Sequence, residues 1–215
     1  MSTQKEHLES IQDIRKMMQE SSKFLSLSGF SGVFAGIYAL IGAYIGNSYL
    51  ENYLDYSRSV SLVTYSYIQV IKIVALICSS VLILSIVTAF YFSKRKATKN
   101  GMKLFDKTTL KLLTNMAIPL VTGGFLCLAL LFHGKEYIFL ISPIMLIFYG
   151  LALINGGTYT FHEIKILGFL EIILGLLSAF YIGYGLLFWT IGFGFLHIIY
   201  GTLVWFKHER GKAQL

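Results

Sequence analysis

Charge is what this sequence is short of. Only 13% of its 215 residues are Asp, Glu, Lys or Arg, and 55% are hydrophobic. Soluble domains carry about 25% charged residues, so this chain lacks the polar surface that water requires. A bilayer is the solvent that fits. Catalytic signatures are missing too: no HExxH pair, no G-x-S-x-G elbow, no P-loop and no dinucleotide-binding glycine fingerprint. Gly29 and Gly32 lie in an apolar run rather than after a strand, and Ser31 beside them has no histidine near it in sequence. These absences count against an enzyme, and no motif names a cofactor. Cysteine is scarce as well. Cys78 and Cys127 both fall within apolar runs, so they indicate no disulfide framework and read as small buried apolar residues. No cleavable signal peptide is expected, because residues 1–23 are polar and of mixed charge and the first apolar run is longer than an h-region.

What the chain does have is long apolar runs. Six of them, at 29–49, 67–92, 112–132, 137–154, 164–182 and 186–206, have the length of membrane-spanning helices, about 18 residues or more. They are continuous, without the alternating ten-residue pattern of a barrel. Backbone groups in lipid must be satisfied within the segment, so helices follow. The expected fold is all-α and polytopic: a six-transmembrane-helix bundle over 28–206, an amphipathic cytoplasmic helix over 1–27, and a cytoplasmic tail over 207–215.

The formal net charge is +7. Most of the excess sits between the second and third runs, in Lys94, Arg95, Lys96, Lys99, Lys103, Lys107 and Lys111. The positive-inside rule puts that segment in the cytoplasm. An N-terminus with Lys5, Arg15, Lys16 and Lys23 and a C-terminus with Lys207, Arg210 and Lys212 then fall on the same side, while the opposite loops hold Arg58 and Lys135. A bacterial inner membrane with both termini cytoplasmic is the expected location. Juxtamembrane lysines attract anionic lipid at about 1 kcal/mol each, so the basic segment points to the lipid bilayer as partner and not to nucleic acid. Tyr49, Tyr53, Tyr56, Tyr65 and Tyr67 around the first outer loop read as an aromatic belt. Lys72 lies about one turn inside that end of the second helix, where it can snorkel.

Over 4–27, Leu8, Ile11, Ile14, Met18 and Leu25 recur near helical spacing among charges. Residues 1–23 hold four basic and four acidic side chains. Membrane-surface helices favour Lys and Arg, so the neutral balance points to docking on protein, either this bundle or a cytoplasmic partner. Thr160-Phe-His-Glu163 has the pattern of a capping box opening the fifth helix. Gly183-Tyr184-Gly185 turns the chain into the sixth helix, making those two helices antiparallel neighbours.

Small residues recur at four-residue spacing in Ser28, Gly32 and Gly36, then in Gly42 and Gly46. Such spacing lets helix backbones approach in lipid, within the bundle or across a homo-oligomer face. A longer echo runs through the chain. Gly168-Phe-Leu-Glu-Ile-Ile-Leu-Gly175 matches Gly194-Phe-Leu-His-Ile-Ile-Tyr-Gly201 at six of eight positions. Gly29 and Gly36 in the first run, and Pro143 and Gly150 in the fourth, share the seven-residue spacing, which keeps small positions on one helical stripe. The echo sets Glu171 and His197 at equivalent places on antiparallel helices, at similar depth. An ionised side chain there costs at least about 2.5–3.5 kcal/mol, so Glu171 must be protonated, paired or wet. The pair is a candidate proton path or ligand contact, with Asn155 as the next polar group, or else a hydrogen bond that holds two helices together. A second constellation, His162-Glu163 and His208-Glu209, falls at cytoplasmic helix ends, where imidazole and carboxylate could hold a divalent metal. Its spacing matches no zinc pattern.

The stretches Leu25-Ser-Leu-Ser-Gly-Phe-Ser-Gly-Val-Phe-Ala-Gly-Ile-Tyr-Ala-Leu-Ile-Gly42 and Gly183-Tyr-Gly-Leu-Leu-Phe-Trp-Thr-Ile-Gly-Phe-Gly-Phe-Leu-His-Ile-Ile-Tyr-Gly201 resemble a family of small uncharacterised inner-membrane proteins of Bacteroidota. The resemblance implies the six-helix fold and no defined activity. Some family members are labelled carotene oxygenases, whose iron needs several histidines; only His197 is deep in a span here. Occurrence of the family beside winged-helix regulators implies a signalling or envelope role. Three functions follow as expectations: a non-enzymatic membrane protein binding a protein partner or an apolar ligand, a small proton- or ion-coupled transporter using Glu171 and His197, and an intramembrane enzyme.

Overall fold

The computed structural model describes residues 28–59, 67–99, 101 and 105–210. The expected amphipathic helix over 4–27 and the tail beyond 210 lie outside the described residues. Those described are helical and form no strand. Six helices follow one another: α1 (Gly29–Ser59), α2 (Tyr67–Lys99), α3 (Lys107–His133), α4 (Ile141–Gly156) entered through a 3-10 turn at Lys135–Leu140, α5 (His162–Phe180) and α6 (Gly185–His208). Five stretches are long and apolar enough to cross a membrane: Gly29–Glu51, Ile71–Lys99, Lys107–His133, Glu136–Gly156 and Gly185–His208. The remaining helix, α5, has 19 residues but carries Glu163, Lys165 and Glu171.

Helix ends follow local chemistry. Asp106 caps α3, accepting from the Thr109 amide at 2.7 Å and the Thr109 hydroxyl at 2.8 Å. That amide bond, above all, holds the Asp106 carboxyl below the usual carboxylate range. Gly183, at φ +95°, makes the tight turn from α5 to α6 that its sequence announced. The start of α5 falls one residue later than the capping-box pattern places it. The cap position falls to Phe161, which has no side-chain acceptor, and the Glu163 carboxylate turns instead to Lys207 and His208. The basic segment after the second run is also less of a loop than expected. Lys94, Arg95, Lys96 and Lys99 extend α2, while Lys107 and Lys111 lie in the opening turns of α3. At 1.5 Å per residue the 33 residues of α2 reach about 50 Å, beyond the ≈ 30 Å of a hydrocarbon core.

The small residues say how the helices pack. A Cβ on Gly201 would lie 2.5 Å from the Gly29 carbonyl oxygen, and one on Gly36 2.6 Å from that of Gly194. The α4–α5 pair repeats this contact. A Cβ on Gly168 would lie 2.7 Å from the Gly150 carbonyl oxygen, and one on Gly175 3.0 Å from that of Pro143. The positions that echo in the sequence thus pair α1 with α6 and α4 with α5, each pair antiparallel. Since α5 and α6 are themselves antiparallel, the two glycine-packed pairs run in opposite senses and meet where α5 lies beside α6. Gly32 joins the α6 contact, whereas Gly42 and Gly46 face Val81 and Ile77 of α2. These glycines pack within the chain.

Around the bundle the order of neighbours is α2, α1, α6, α5, α4, α3. Among the described residues the arc does not close: α2 leans on α1 and α3 on α4, and the two scarcely touch each other.

Candidate functional site

Inside the arc lies a cavity of ≈ 590 Å³. Its wall is almost wholly apolar and comes from α1, α2, α3, α4 and α6, and among the described residues its open side lies between α2 and α3. Few polar groups reach it. Tyr149 of α4 and His197 of α6 form one patch, Trp189 adds an indole whose Nε1 has no hydrogen-bond partner among the described residues, and Cys78, Ser79 and Ser85 of α2 and Cys127 of α3 complete the polar lining. An apolar pocket of 300–1,000 Å³ with a small number of placed polar groups is the usual form of a small-molecule site.

The polar patch is built by an irregularity in α6. From Thr190 to Leu196 the helix widens to π geometry, which inserts a residue per turn and recurs at functional sites. Gly192 in this stretch has no side chain because the Glu171 carboxylate and Leu146 occupy the space a Cβ would need. One widened turn on, His197 directs Nδ1 to the Gly192 carbonyl oxygen at 3.0 Å and Nε2 to the Tyr149 hydroxyl at 2.7 Å. A carbonyl oxygen only accepts, so Nδ1 carries the proton. In the uncharged ring Nε2 then accepts from Tyr149. Phe193 stacks on the imidazole at 5.9 Å and meets Tyr149 at a tilt at 4.9 Å, packing against both rings.

Glu171 stands behind this patch. It is 0% exposed and does not line the cavity. Its Oε1 lies 3.5 Å from His197 Nδ1, and neither carboxyl oxygen has a hydrogen-bond partner among the described residues. The structure therefore brings the echoed pair together. Asn155 stays apart: its side chain is exposed and its carbonyl accepts from the Thr158 hydroxyl in the turn after α4. The expected path through Glu171, His197 and Asn155 loses its third member because Asn155 sits at the helix end, away from the cavity.

His162, Glu163, His208 and Glu209 do not gather either, and among the described residues no three His, Cys, Asp or Glu side chains come together as a metal site would need. Opposite charges divide them. Glu163 binds Lys207 and, at 3.4 Å, His208. Burial alone would raise its carboxyl; Lys207, its own helix-end amide and His208 pull it below the usual range. Glu209 turns the other way, accepting from the Gly29 amide at 2.8 Å, the Ser28 hydroxyl at 3.3 Å and Lys96 at 3.0 Å. It thereby caps α1 and ties α1, α2 and α6 at one end. Phe161 stacks on His208 at 4.2 Å, with the Lys96 ammonium over its ring.

Sequence reasoning missed Tyr149, Trp189 and Gly192, and it placed the cysteines in apolar surroundings without seeing that both face one cavity. A tyrosine in the middle of the apolar fourth run was the available signal for Tyr149. Nothing linear marks the π turn.

Helices long and apolar enough to cross a membrane, arranged around a side-opening cavity, give the chain the make-up of a multi-pass membrane protein. No protein family, curated protein or solved structure matches it.

Proposed function

We propose that this chain is a six-span inner-membrane protein that binds an apolar molecule in the cavity between α2 and α3. The observation that carries the reading is the cavity itself: ≈ 590 Å³, apolar, and missing its wall where two helices fail to meet. An engineered apolar void of about 150 Å³ already binds benzene; one nearly four times larger, facing lipid, has no reason to stay empty. Counting α5 as a span supports the topology, because it sets the N-terminus, the Lys94–Lys111 segment and the C-terminus on one side, as the positive-inside rule asks. The acidic and basic charges in residues 1–23 balance, which supports a second, protein-facing role for 4–27 in passing occupancy to a cytoplasmic partner.

The test fills the cavity without disturbing the fold. Gly124 of α3 lines the cavity, and a Cβ there meets nothing within 4 Å. Gly124→Phe should fold and insert as the native chain does, yet lose lipophilic molecules that the native protein retains through mild-detergent purification. Native mass spectrometry reads the difference. Equal retention by both forms would sink the proposal.

One observation favours transport as a second reading. The α1–α6 and α4–α5 pairs use the same glycine contact in opposite senses, and oppositely directed repeats with the site at their interface are a common plan of secondary transporters; Glu171 of α5 and His197 of α6 meet where the two pairs join. On that reading Glu171→Gln abolishes proton-coupled flux in vesicles while the helices stay packed. The sealing of Glu171 away from the cavity weighs for the first reading.

A further inference from the structure

We infer that the molecule held in the cavity is a hydroxyl-bearing lipid, an alcohol on a long apolar body, whose O–H donates to Tyr149. The inference rests on the cavity reading above and names the ligand's chemistry. Hydrogen bonds in the polar patch all run one way. His197 Nδ1–H donates to the Gly192 carbonyl, and the Tyr149 O–H donates to His197 Nε2. That direction is fixed at its inner end, because the Gly192 oxygen has no proton to give. With both Glu171 and His197 uncharged, the form hydrocarbon favours, Tyr149 has spent its only proton. What it still offers is an acceptor: the lone pairs of its phenol oxygen.

A ligand meeting that end of the relay must therefore donate. Alkanes leave both the phenol oxygen and the Trp189 Nε1–H, which has no partner among the described residues, unsatisfied; ketones, quinones and ethers can accept from the indole but bring a second acceptor against the phenol, whereas an alcohol both donates and accepts. An alcohol completes the chain from ligand to Tyr149 to His197 to Gly192, in which each bond polarises the next. The remaining wall gives the apolar body its place. Ala35, Ala39, Val81 and Leu120 line it without a charge, and the gap between α2 and α3 lets a chain longer than the cavity run out into lipid. The same wall disfavours charged headgroups, since among the described residues no Lys, Arg, Asp or Glu lines it.

The experiment uses the full chain in nanodiscs with geranylgeraniol, its methyl ether, a C20 hydrocarbon and decylubiquinone, each competing with a diazirine-bearing geranylgeraniol. The alcohol should compete about tenfold better than the ether, the difference expected for stranding one buried acceptor, and Tyr149→Phe should bring the alcohol down to the level of the ether. If the quinone wins, the relay runs in the opposite sense and the inference fails. Equal competition by all four overturns it too, while leaving the cavity reading in place. Should none compete, and Gly124→Phe label as the native chain does, both fail together.

Discussion

Gly201→Leu should take apart the α1–α6 pair. A Cβ at this position would sit 2.5 Å from both the Gly29 carbonyl oxygen and the Val33 amide nitrogen, and 2.9 Å from the Gly32 carbonyl carbon. Each obstacle is backbone, so no side chain can swing aside. Overpacking usually costs about 1–3 kcal/mol where neighbours yield; here the two helices must separate, and the loss should exceed about 3 kcal/mol. Helix association in lipid has no hydrophobic drive to spare, since hydrocarbon tails are as apolar as leucine. Gly168→Leu should do the same to the α4–α5 pair, where the Gly150 carbonyl oxygen stands 2.7 Å away. Gly124→Leu is the control, because its Cβ meets nothing. Unfolding in sodium dodecyl sulfate, followed by circular dichroism, would rank the three. A Gly201→Leu protein within about 0.5 kcal/mol of the native one, the range of an ordinary surface change, would mean that the helices are not this close.

Next in size should be His197→Leu. It leaves the Tyr149 hydroxyl without its acceptor and takes away the imidazole beside the buried Glu171 carboxyl. Leaving a buried neutral hydrogen-bonding group unsatisfied costs about 1–3 kcal/mol. Adding Glu171→Leu to the same chain should restore part of the loss, because two apolar groups of similar volume replace a half-satisfied pair. The double variant would then be more stable than the sum of the singles by an interaction energy of about 0.5–3 kcal/mol. Strict additivity would show that the two side chains do not act on each other, and that the 3.5 Å between them is mere adjacency.

Much of the architecture was legible because lipid leaves the backbone so little choice. Apolar runs had to be helices, and five of the six coincide with helices long and apolar enough to cross a membrane. The glycine echo foretold which faces touch: Gly168 and Gly175, Gly194 and Gly201, Gly29 and Gly36 all stand at close contacts. Helix ends were read less well. The α5 cap moved from Thr160 to Phe161, and α2 ran on through Lys99, since neither end is set by hydropathy alone. The cavity could not be read at all. In water a helix declares its buried face by the spacing of apolar residues; in lipid both faces are apolar, so Leu120 on the cavity wall and Val121 beside it look alike. Glu171 and His197 were found because they are ionisable, whereas Tyr149 and Trp189 passed as two more aromatics in a chain that is 15% aromatic. The proposed metal group failed for a reason outside any motif, the competition of Lys96 and Lys207 for its carboxylates.

On the proposed reading, the opening between α2 and α3 sets the terms of supply. A guest entering there passes from one oily phase to another and never sheds a hydration shell, so its solubility in water is irrelevant to its capture. What counts is its mole fraction within the leaflet. Occupancy should follow membrane composition as a thermometer follows its bath, and a compound too insoluble to measure in buffer could still fill every copy of the protein.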